Sequence, residues 1–141
     1  MSLKINNAAY NALVRDGIAA QGDLLIVNIN LCPMGKFKEE WEVVVSTDGR
    51  HTVAHSETGH HHQLRPYSPS PGVVLRAPTL WRDNKSPTPE MKSVVEVGED
   101  LAEIVHLRNH DTHETHILPA GTWVLLRQGR PTPEGWKVVA D

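Results

Sequence analysis

The sequence contains little that would cross-link, anchor or target a protein. Its single cysteine, Cys32, excludes an internal disulfide, which is typical of proteins from the reducing cytoplasm. The net charge is only -3 and no Lys/Arg-rich run occurs, so neither nucleic acid nor a membrane surface is an expected partner. No apolar run has the composition of a signal peptide or the length of a bilayer span. We therefore expect a cytoplasmic protein.

Long uninterrupted segments are also scarce, because ten glycines and ten prolines divide the chain into short pieces. Between them lie β-branched and apolar segments such as 24–31, 41–47 and 122–128, which predict roughly eight to ten short strands. The dipeptide Asp48-Gly49 is typical of a tight hairpin, so we expect the strand over 41–47 to turn directly into a return strand over 50–55. The pattern predicts an all-β fold, a small sandwich or barrel.

Two segments depart from the strand pattern. The sequence predicts one short N-terminal helix, in which Asn6 or Asn7 caps the first turn and Gly17 ends the last. Residues 66–89 contain six of the ten prolines. Because proline cannot donate a hydrogen bond inside a sheet, this range is predicted to be mostly a surface loop or arm. The length of the chain fits a single β domain, residues 1–141.

The nine histidines are the unusual feature of the composition, and most of them fall in two dense groups. The first group ends in His60-His61-His62. In an extended strand alternate side chains share a face, so His60 and His62 point together and can bind one metal ion at ~2.0–2.1 Å. The preceding Gly59 allows a bulge that re-aims side chains. The alternative is a row of surface histidines on an edge strand.

The second group spans 106–116 and contains two pairs with three-residue spacing, His110 with His113 and His113 with His116. A loop that runs into a strand is expected here, and the alternative to metal binding is a solvated, hydrogen-bonded turn. Two ligands from each group make a four-nitrogen site, whereas three leave one position open, as a catalytic metal requires. The predicted metal ligands are His60, His62, His113 and His110, with His116 as the substitute for His110.

Carboxylates accompany both histidine groups. Asp111 and Glu114 can orient the imidazole rings, ligate the ion or act as a base, and Glu57 is the other candidate base. Imidazole nitrogen suits Zn, Fe, Mn or Ni, so the sequence predicts a divalent transition metal without identifying it. It also leaves open whether the metal is structural or is catalytic on a small-molecule ligand.

Two resemblances accompany these residues. The segment His60-His61-His62 and the later turn Leu118-Pro119-Ala120-Gly121 resemble the paired ligands and the second-motif turn of cupins, which are small metal-binding β-barrels. This resemblance implies a cupin-like or jelly-roll-like fold. The glutamate that follows the paired ligands in cupins has no counterpart here, and Trp123 stands where cupins have a histidine after the turn.

The second resemblance spans most of the chain. Its motifs are Thr58-Gly59-His60-His61-His62, His110-Asp111-Thr112-His113, Leu118-Pro119-Ala120-Gly121-Thr122-Trp123 and Arg127-Gln128 with Thr132-Pro133-Glu134. They are similar to those of a family of small uncharacterised bacterial and prophage proteins, which implies His110 with His113 as the second pair and brings no activity. The rival hypothesis is therefore a phage- or mobile-element-derived binding or assembly module. In it the histidines are structural or meet a partner in a homo-oligomer, and the arm at 66–89 contacts a neighbouring subunit.

Overall fold

A computed structural model describes the chain in ten ranges, which together carry two helices and twelve strands. The described residues are 7–21, 24–32, 37–45, 49–54, 61–67, 76–83, 92–107, 112–127, 129–132 and 135–138. The helices are α1 (Ala8–Asp16) and α2 (Phe37–Glu40). The strands are β1 (Ile18–Gln21), β2 (Leu24–Asn28), β3 (Glu42–Val44), β4 (His51–Ala54), β5 (His61–Pro66), β6 (Thr79–Arg82), β7 (Lys92–Val97), β8 (Ala102–Leu107), β9 (Thr112–Leu118), β10 (Gly121–Arg127), β11 (Gly129–Thr132) and β12 (Gly135–Val138).

The strands form two antiparallel sheets and one separate hairpin. The six-stranded sheet has the order β1-β2-β10-β7-β6-β3, the four-stranded sheet has the order β4-β5-β8-β9, and β11 pairs with β12. Within the described residues neither sheet closes on itself, so the fold is a sandwich and not a barrel. The prediction of a small all-β fold with a short N-terminal helix is confirmed. The sequence does not predict β1 or the four-residue helix α2.

Apolar side chains from both sheets fill the space between them. Leu64 on β5 and Ile104 on β8 stand opposite each other in register and are fully buried, as is Val95 on β7 of the other sheet. All three belong to one continuous cluster, to which Trp123 on β10 contributes an indole that is also buried. Fully burying one such aliphatic side chain stabilises the fold by about 1.5–3 kcal/mol. The inter-sheet core is therefore the main source of stability.

Helix α1 begins and ends where the sequence predicts. Asn7 is its N-cap, and the Asn7 Oδ1 accepts a hydrogen bond from the Tyr10 N–H at 2.9 Å. Gly17 ends the helix with a φ of 74°, a left-handed conformation that glycine adopts without strain. The helix buries Leu13 and contacts both β1 and β9, which are edge strands of the two sheets. It therefore covers the side of the sandwich where these two edges approach each other.

The predicted tight hairpin at Asp48-Gly49 is wrong. β3 pairs with β6 in the six-stranded sheet, whereas β4 pairs with β5 in the four-stranded sheet, so the chain crosses between the sheets here. Gly49 has a φ of 72°, and a Cβ at this position would lie 2.5 Å from the Cβ of Ala77. The glycine is therefore required for a left-handed backbone and a close approach within the crossing. Asp48 lies outside the described residues.

The range 66–89 contains a strand that its prolines do not predict. β6 lies between β7 and β3 in the six-stranded sheet and buries Leu80. The strand itself is free of proline, and Pro78 directly precedes it, where the missing N–H does not interrupt the ladder. These 4 residues therefore form a sheet strand within a range that is predicted to be mostly a surface loop or arm. Residues 68–75 and 84–91 lie outside the described ranges.

A second apolar cluster lies on the outer face of the six-stranded sheet. Val94 and Val124 pair in register, and along their strands they alternate with residues of the inter-sheet core. Phe37 and Trp41 pack with them. The Phe37 ring meets the rings of Trp41 and Trp81 edge to face, with centroids 5.9 and 5.8 Å apart. Helix α2 is therefore stabilised by burial on this face, since an isolated helix of this length is not stable.

Candidate functional site

The structure describes the predicted site residues to different extents. His62 on β5 and His116 on β9 have described side chains, whereas His113 and Glu114 lie on β9 with only their backbone described. The remaining predicted ligands and carboxylates, His60, His110, Glu57 and Asp111, lie outside the described residues. The complete set of ligands and bases therefore stays a prediction.

His62 is wholly buried. β5 lies between β4 and β8, so His62 is not a surface residue of an edge strand, which is the alternative to metal binding in the sequence. It follows the alternation of its strand, because His62 and Leu64 are fully buried while the intervening Gln63 is partly exposed. The imidazole therefore lies in the interior, where each polar atom needs a hydrogen-bond partner or a ligand.

A glutamine from the other sheet meets His62. Gln21 is the last residue of β1, and 0% of it is exposed. Its Oε1 lies 2.9 Å from His62 Nδ1. Its Nε2 donates to the Ile104 carbonyl oxygen at 2.9 Å and lies 3.2 Å from His116 Nδ1. One amide therefore connects the edge of the six-stranded sheet to β5, β8 and β9 of the four-stranded sheet.

His116 belongs to the same network and borders a groove. Its Nε2 donates to the Ala20 carbonyl oxygen at 2.7 Å, and the residue is buried. The groove has a volume of about 450 Å³, and its lining consists mostly of small side chains from α1 and β1. Asn7 also lines it and donates from Nδ2 to the Thr115 carbonyl oxygen at 2.8 Å. Both ring nitrogens of His116 therefore have a protein group within hydrogen-bond distance.

Three histidines occupy neighbouring positions across the four-stranded sheet. His62 on β5 is in register with His106 on β8, and His106 is in register with His113 on β9. We call these three positions the histidine line. Neighbouring strands lie ~4.7–4.9 Å apart, so the backbone positions of His62 and His113 are about 10 Å apart. The register therefore brings one residue of the first histidine group beside two residues of the second.

Two β-bulges lie next to the histidine line. The pairing of β4 with β5 shifts by one residue beside His62, and the pairing of β8 with β9 shifts just before His106. In the second shift, Glu114 and Thr115 of β9 stand opposite a single residue of β8. Bulges bend a strand and re-aim its side chains, and they are over-represented next to active sites. The bulge predicted at Gly59 lies outside the described residues.

Sequence reasoning misses Gln21 and does not select His106. No pattern marks Gln21, because its segment is not predicted as a strand and it lies 41 residues from His62 and 95 from His116. His106 belongs to the second group but lacks the three-residue spacing, so only the register of β8 identifies it. Among the side chains that the structure describes, no three of His, Cys, Asp and Glu form a group able to hold a metal ion.

The comparisons with known proteins identify a family but no activity. In the described part of the chain, no helix has the length and apolar character needed to cross a membrane. Neither curated proteins nor solved structures give a match to this sequence. A family profile matches residues 20–128, a range that includes Gln21 and the whole histidine line. The chain therefore belongs to this family, which is described as a domain of unknown function (DUF8820).

Proposed function

We propose that this protein binds a divalent transition metal ion, with Zn, Fe, Mn or Ni as the candidates, through histidines of the four-stranded sheet. The ligands are His62 and His113 of the histidine line together with His60 and His110. The observation that carries the proposal is the register of His62 with His106 and His113, which brings the two histidine groups together around a buried imidazole. The register also makes His106 a further candidate ligand.

The spacing of the strands supports a single ion. Residues directly opposite each other in antiparallel strands share a face of the sheet. Positions about 10 Å apart can be bridged by one ion, because each imidazole adds its own length and a metal–nitrogen bond of ~2.0–2.1 Å. Neutral imidazole is a good ligand for several divalent transition metals, so the ligands alone do not select one.

The surroundings of His62 also support a metal site. Leu64 and Ile104, the next in-register pair along the same face, are fully buried. A hydrophobic shell of this kind limits the access of water and controls the properties of a bound ion. Burying an imidazole is unfavourable unless its nitrogens have partners, so a residue that served only packing is better supplied by a leucine.

The number of protein ligands decides what the ion can do. Three histidines leave one position for water or for a small oxygen-rich ligand, which the metal polarises. Glu114, which lies in the bulge of β9, and Glu57 are then the candidate bases. Four histidines close the site and give the metal a structural role.

Elemental analysis of the untagged protein tests the proposal. Protein purified without added metal is expected to contain about one equivalent of a transition metal by plasma mass spectrometry, and the His60→Ala, His62→Ala double variant none. His51→Ala is the matched control, because His51 is also a buried histidine of this sheet but is paired with Leu64. Full metal content in the double variant would rule out these ligands.

An exposed edge favours a second candidate function, that of a phage- or mobile-element-derived assembly module. In the described part of the chain, β3 is an edge strand of the six-stranded sheet. Val43 in this strand is 43% exposed, and Val45, directly after the strand, is 86% exposed. An apolar edge strand can pair with another chain. In this function the protein is a homo-oligomer that binds no metal, and its assembly changes between about pH 5 and pH 7 as histidines titrate. A metal-containing monomer would contradict it.

A further inference from the structure

We propose a ligand site on the outer face of the six-stranded sheet for a small carboxylate that carries hydroxyl groups, the chemistry of sugar acids and hydroxy acids. Its parts are the carboxylate of Glu96, the guanidinium of Arg76 and the hydroxyls of Thr79 and Thr122. These four residues line one cavity. The site uses no residue of the histidine line, so it stands independently of the proposed metal.

The sheet places three of these residues in a row. Thr79 on β6 is in register with Glu96 on β7, and Glu96 is in register with Thr122 on β10. Residues in register share a face, and the strands lie ~4.7–4.9 Å apart. Two residues along, the same face carries Val94 and Val124 of the second apolar cluster. The outer face therefore changes from apolar to polar at Glu96, and this polar row lines a cavity of about 310 Å³.

The carboxylate of Glu96 is held in place by two donors. Its Oε1 accepts from the Trp81 indole N–H at 2.5 Å, and its Oε2 lies 3.2 Å from Lys38 Nζ. The Trp81 ring is itself packed edge to face against Phe37, with centroids 5.8 Å apart. A carboxylate has about four lone-pair sites, so these two contacts leave it able to accept from a ligand. Glu96 is therefore a preorganised acceptor whose charge is already compensated by Lys38.

Arg76 brings the opposite charge to the same cavity. Its backbone N–H donates to Asp100 Oδ2 at 3.0 Å, and its Cδ lies 4.0 Å from the place that a Cβ on Gly98 would occupy. Within the described residues, the guanidinium forms no hydrogen bond or ion pair, although Glu96 lines the cavity as well. Opposite charges that share a cavity without pairing leave space between them for a ligand that satisfies both.

The donors and acceptors of the cavity select the class of ligand. A guanidinium binds a carboxylate through two parallel N–H···O bonds. Glu96 requires a donor, and Lys38 already places an ammonium against it, so a neutral O–H fits better than a second ammonium that Lys38 would repel. The hydroxyls of Thr79 and Thr122 form no hydrogen bond within the described residues, and each can donate and accept. A hydroxylated carboxylate meets these requirements, and an amino acid does not.

The size of the cavity limits the ligand further. Ligand pockets have volumes of roughly 300–1,000 Å³, and this cavity of about 310 Å³ lies at the lower end of that range. Gly98 and Gly121 line it without contributing a side chain, which keeps it open. We therefore expect a single small molecule and not an extended chain.

An NMR titration of the full chain with D-gluconate tests the site, because the Trp81 indole N–H that is bonded to Glu96 reports on it directly. Gluconate is expected to shift this resonance in a saturable manner, with EDTA present so that gluconate does not act through a metal ion. D-Glucose, which lacks the carboxylate, and acetate, which lacks the hydroxyls, are expected to bind about 10-fold more weakly. An unshifted Trp81 resonance at millimolar gluconate, or tighter binding of glycine than of gluconate, would overturn the proposal.

Two substitutions assign the roles of the charged groups. Arg76→Gln and Glu96→Gln are each expected to weaken gluconate binding about 10-fold, the effect of one hydrogen bond to a charged group. Arg15→Gln is the matched control, since Arg15 is also an exposed arginine but is paired with Asp16 on α1. It should leave the affinity unchanged. Arg76 is exposed, so Arg76→Gln should fold even if Glu96→Gln does not, and equal affinity of Arg76→Gln and the natural protein would overturn the proposal.

Discussion

The inner face of the four-stranded sheet changes character within two residues along its strands. At one position Leu64 stands opposite Ile104, and both are fully buried in the inter-sheet core. At the next position on the same face His62 stands opposite His106, which in turn stands opposite His113. The same strands run through both positions, but the pairing of β8 with β9 shifts by one residue between Ile104 and His106, so a bulge separates the apolar position from the histidine position.

The two positions depend on different forces. Apolar burial at Leu64 and Ile104 is not directional and tolerates replacement by side chains of similar volume. The buried ring of His62 instead requires a directed partner, and Gln21 is held at the end of β1 to supply it. Local conflicts of this kind, in which a sheet gives up an apolar position for a polar network, are expected at functional sites. The apolar position is therefore expected to determine stability, and the histidine position to determine binding.

Leu64→Ala has the largest expected effect. The side chain is fully buried between the sheets, so its truncation should lower the free energy of unfolding by about 2–5 kcal/mol, through lost burial and the cavity left behind. Urea unfolding measures this change, and Val45→Ala, at an exposed position, should change it by less than about 0.5 kcal/mol. The folded Leu64→Ala protein should still contain about one equivalent of metal, because Leu64 belongs to the hydrophobic shell and supplies no ligand. Loss of metal without loss of stability would erase the distinction between the two positions.

The fold is predictable where the signal is local. Asn7 and Gly17 delimit α1 through contacts within the helix itself, and the strands β2, β7 and β8 follow β-branched, apolar runs. The partner of a strand is not local information. Asp48-Gly49 has the composition of a hairpin, but the strands on either side of it find their partners in different sheets. Pairing is decided by which faces bury together, and no dipeptide encodes that.

The candidate site likewise has one part that the sequence predicts and one part that only the fold reveals. The two dense groups of histidines are visible in the sequence. Alternation along a strand selects His62 from the first group, and the three-residue spacing selects His113 from the second. Which histidine positions stand in register depends on the pairing of β5, β8 and β9 and on a one-residue shift, so His106 is identified only by the fold. Gln21 gives no signal at all, because a single glutamine acquires its role from residues far away in sequence.

The increase in the free energy of unfolding on addition of Zn²⁺ is the next largest expected effect. Because Zn²⁺ binds only the folded protein in this proposal, at about 100 times its dissociation constant it should raise the free energy of unfolding by about 2.7 kcal/mol. His62→Leu should show no such increase, and without metal it should be about 1–3 kcal/mol less stable, since the Gln21 amide oxygen loses its donor. Thermal unfolding with and without Zn²⁺ measures both quantities. His51→Leu is the matched control and should retain the increase.

Equal stabilisation of the natural protein and His62→Leu by Zn²⁺ would mean that the ion binds elsewhere. A His62→Leu variant that is more stable than the natural protein without metal would sharpen the comparison instead. It would show that the histidine position is maintained against the requirements of the core, as replacement of buried polar groups by apolar ones of similar volume sometimes reveals.

Asn7→Ala has the smallest expected effect and examines the helix that covers the histidine side of the sandwich. Asn7 Oδ1 accepts from the Tyr10 N–H at 2.9 Å, and Asn7 Nδ2 donates to the Thr115 carbonyl oxygen at 2.8 Å, next to His116. Loss of a helix cap of this type costs about 0.5–2 kcal/mol. Urea unfolding should show this decrease, while the affinity for Zn²⁺ stays within the error of the natural protein. Asn7→Asp keeps the cap acceptor and should recover most of the loss.

The affinity of Asn7→Ala for Zn²⁺ is the informative quantity, because it asks how far the support of the site extends. Gln21 touches His62 directly, whereas Asn7 reaches the network only through the backbone of β9 beside His116. If removing Asn7 weakened Zn²⁺ binding, α1 would have to be counted as part of the metal site. The residues that determine metal binding would then include α1 as well as the four-stranded sheet.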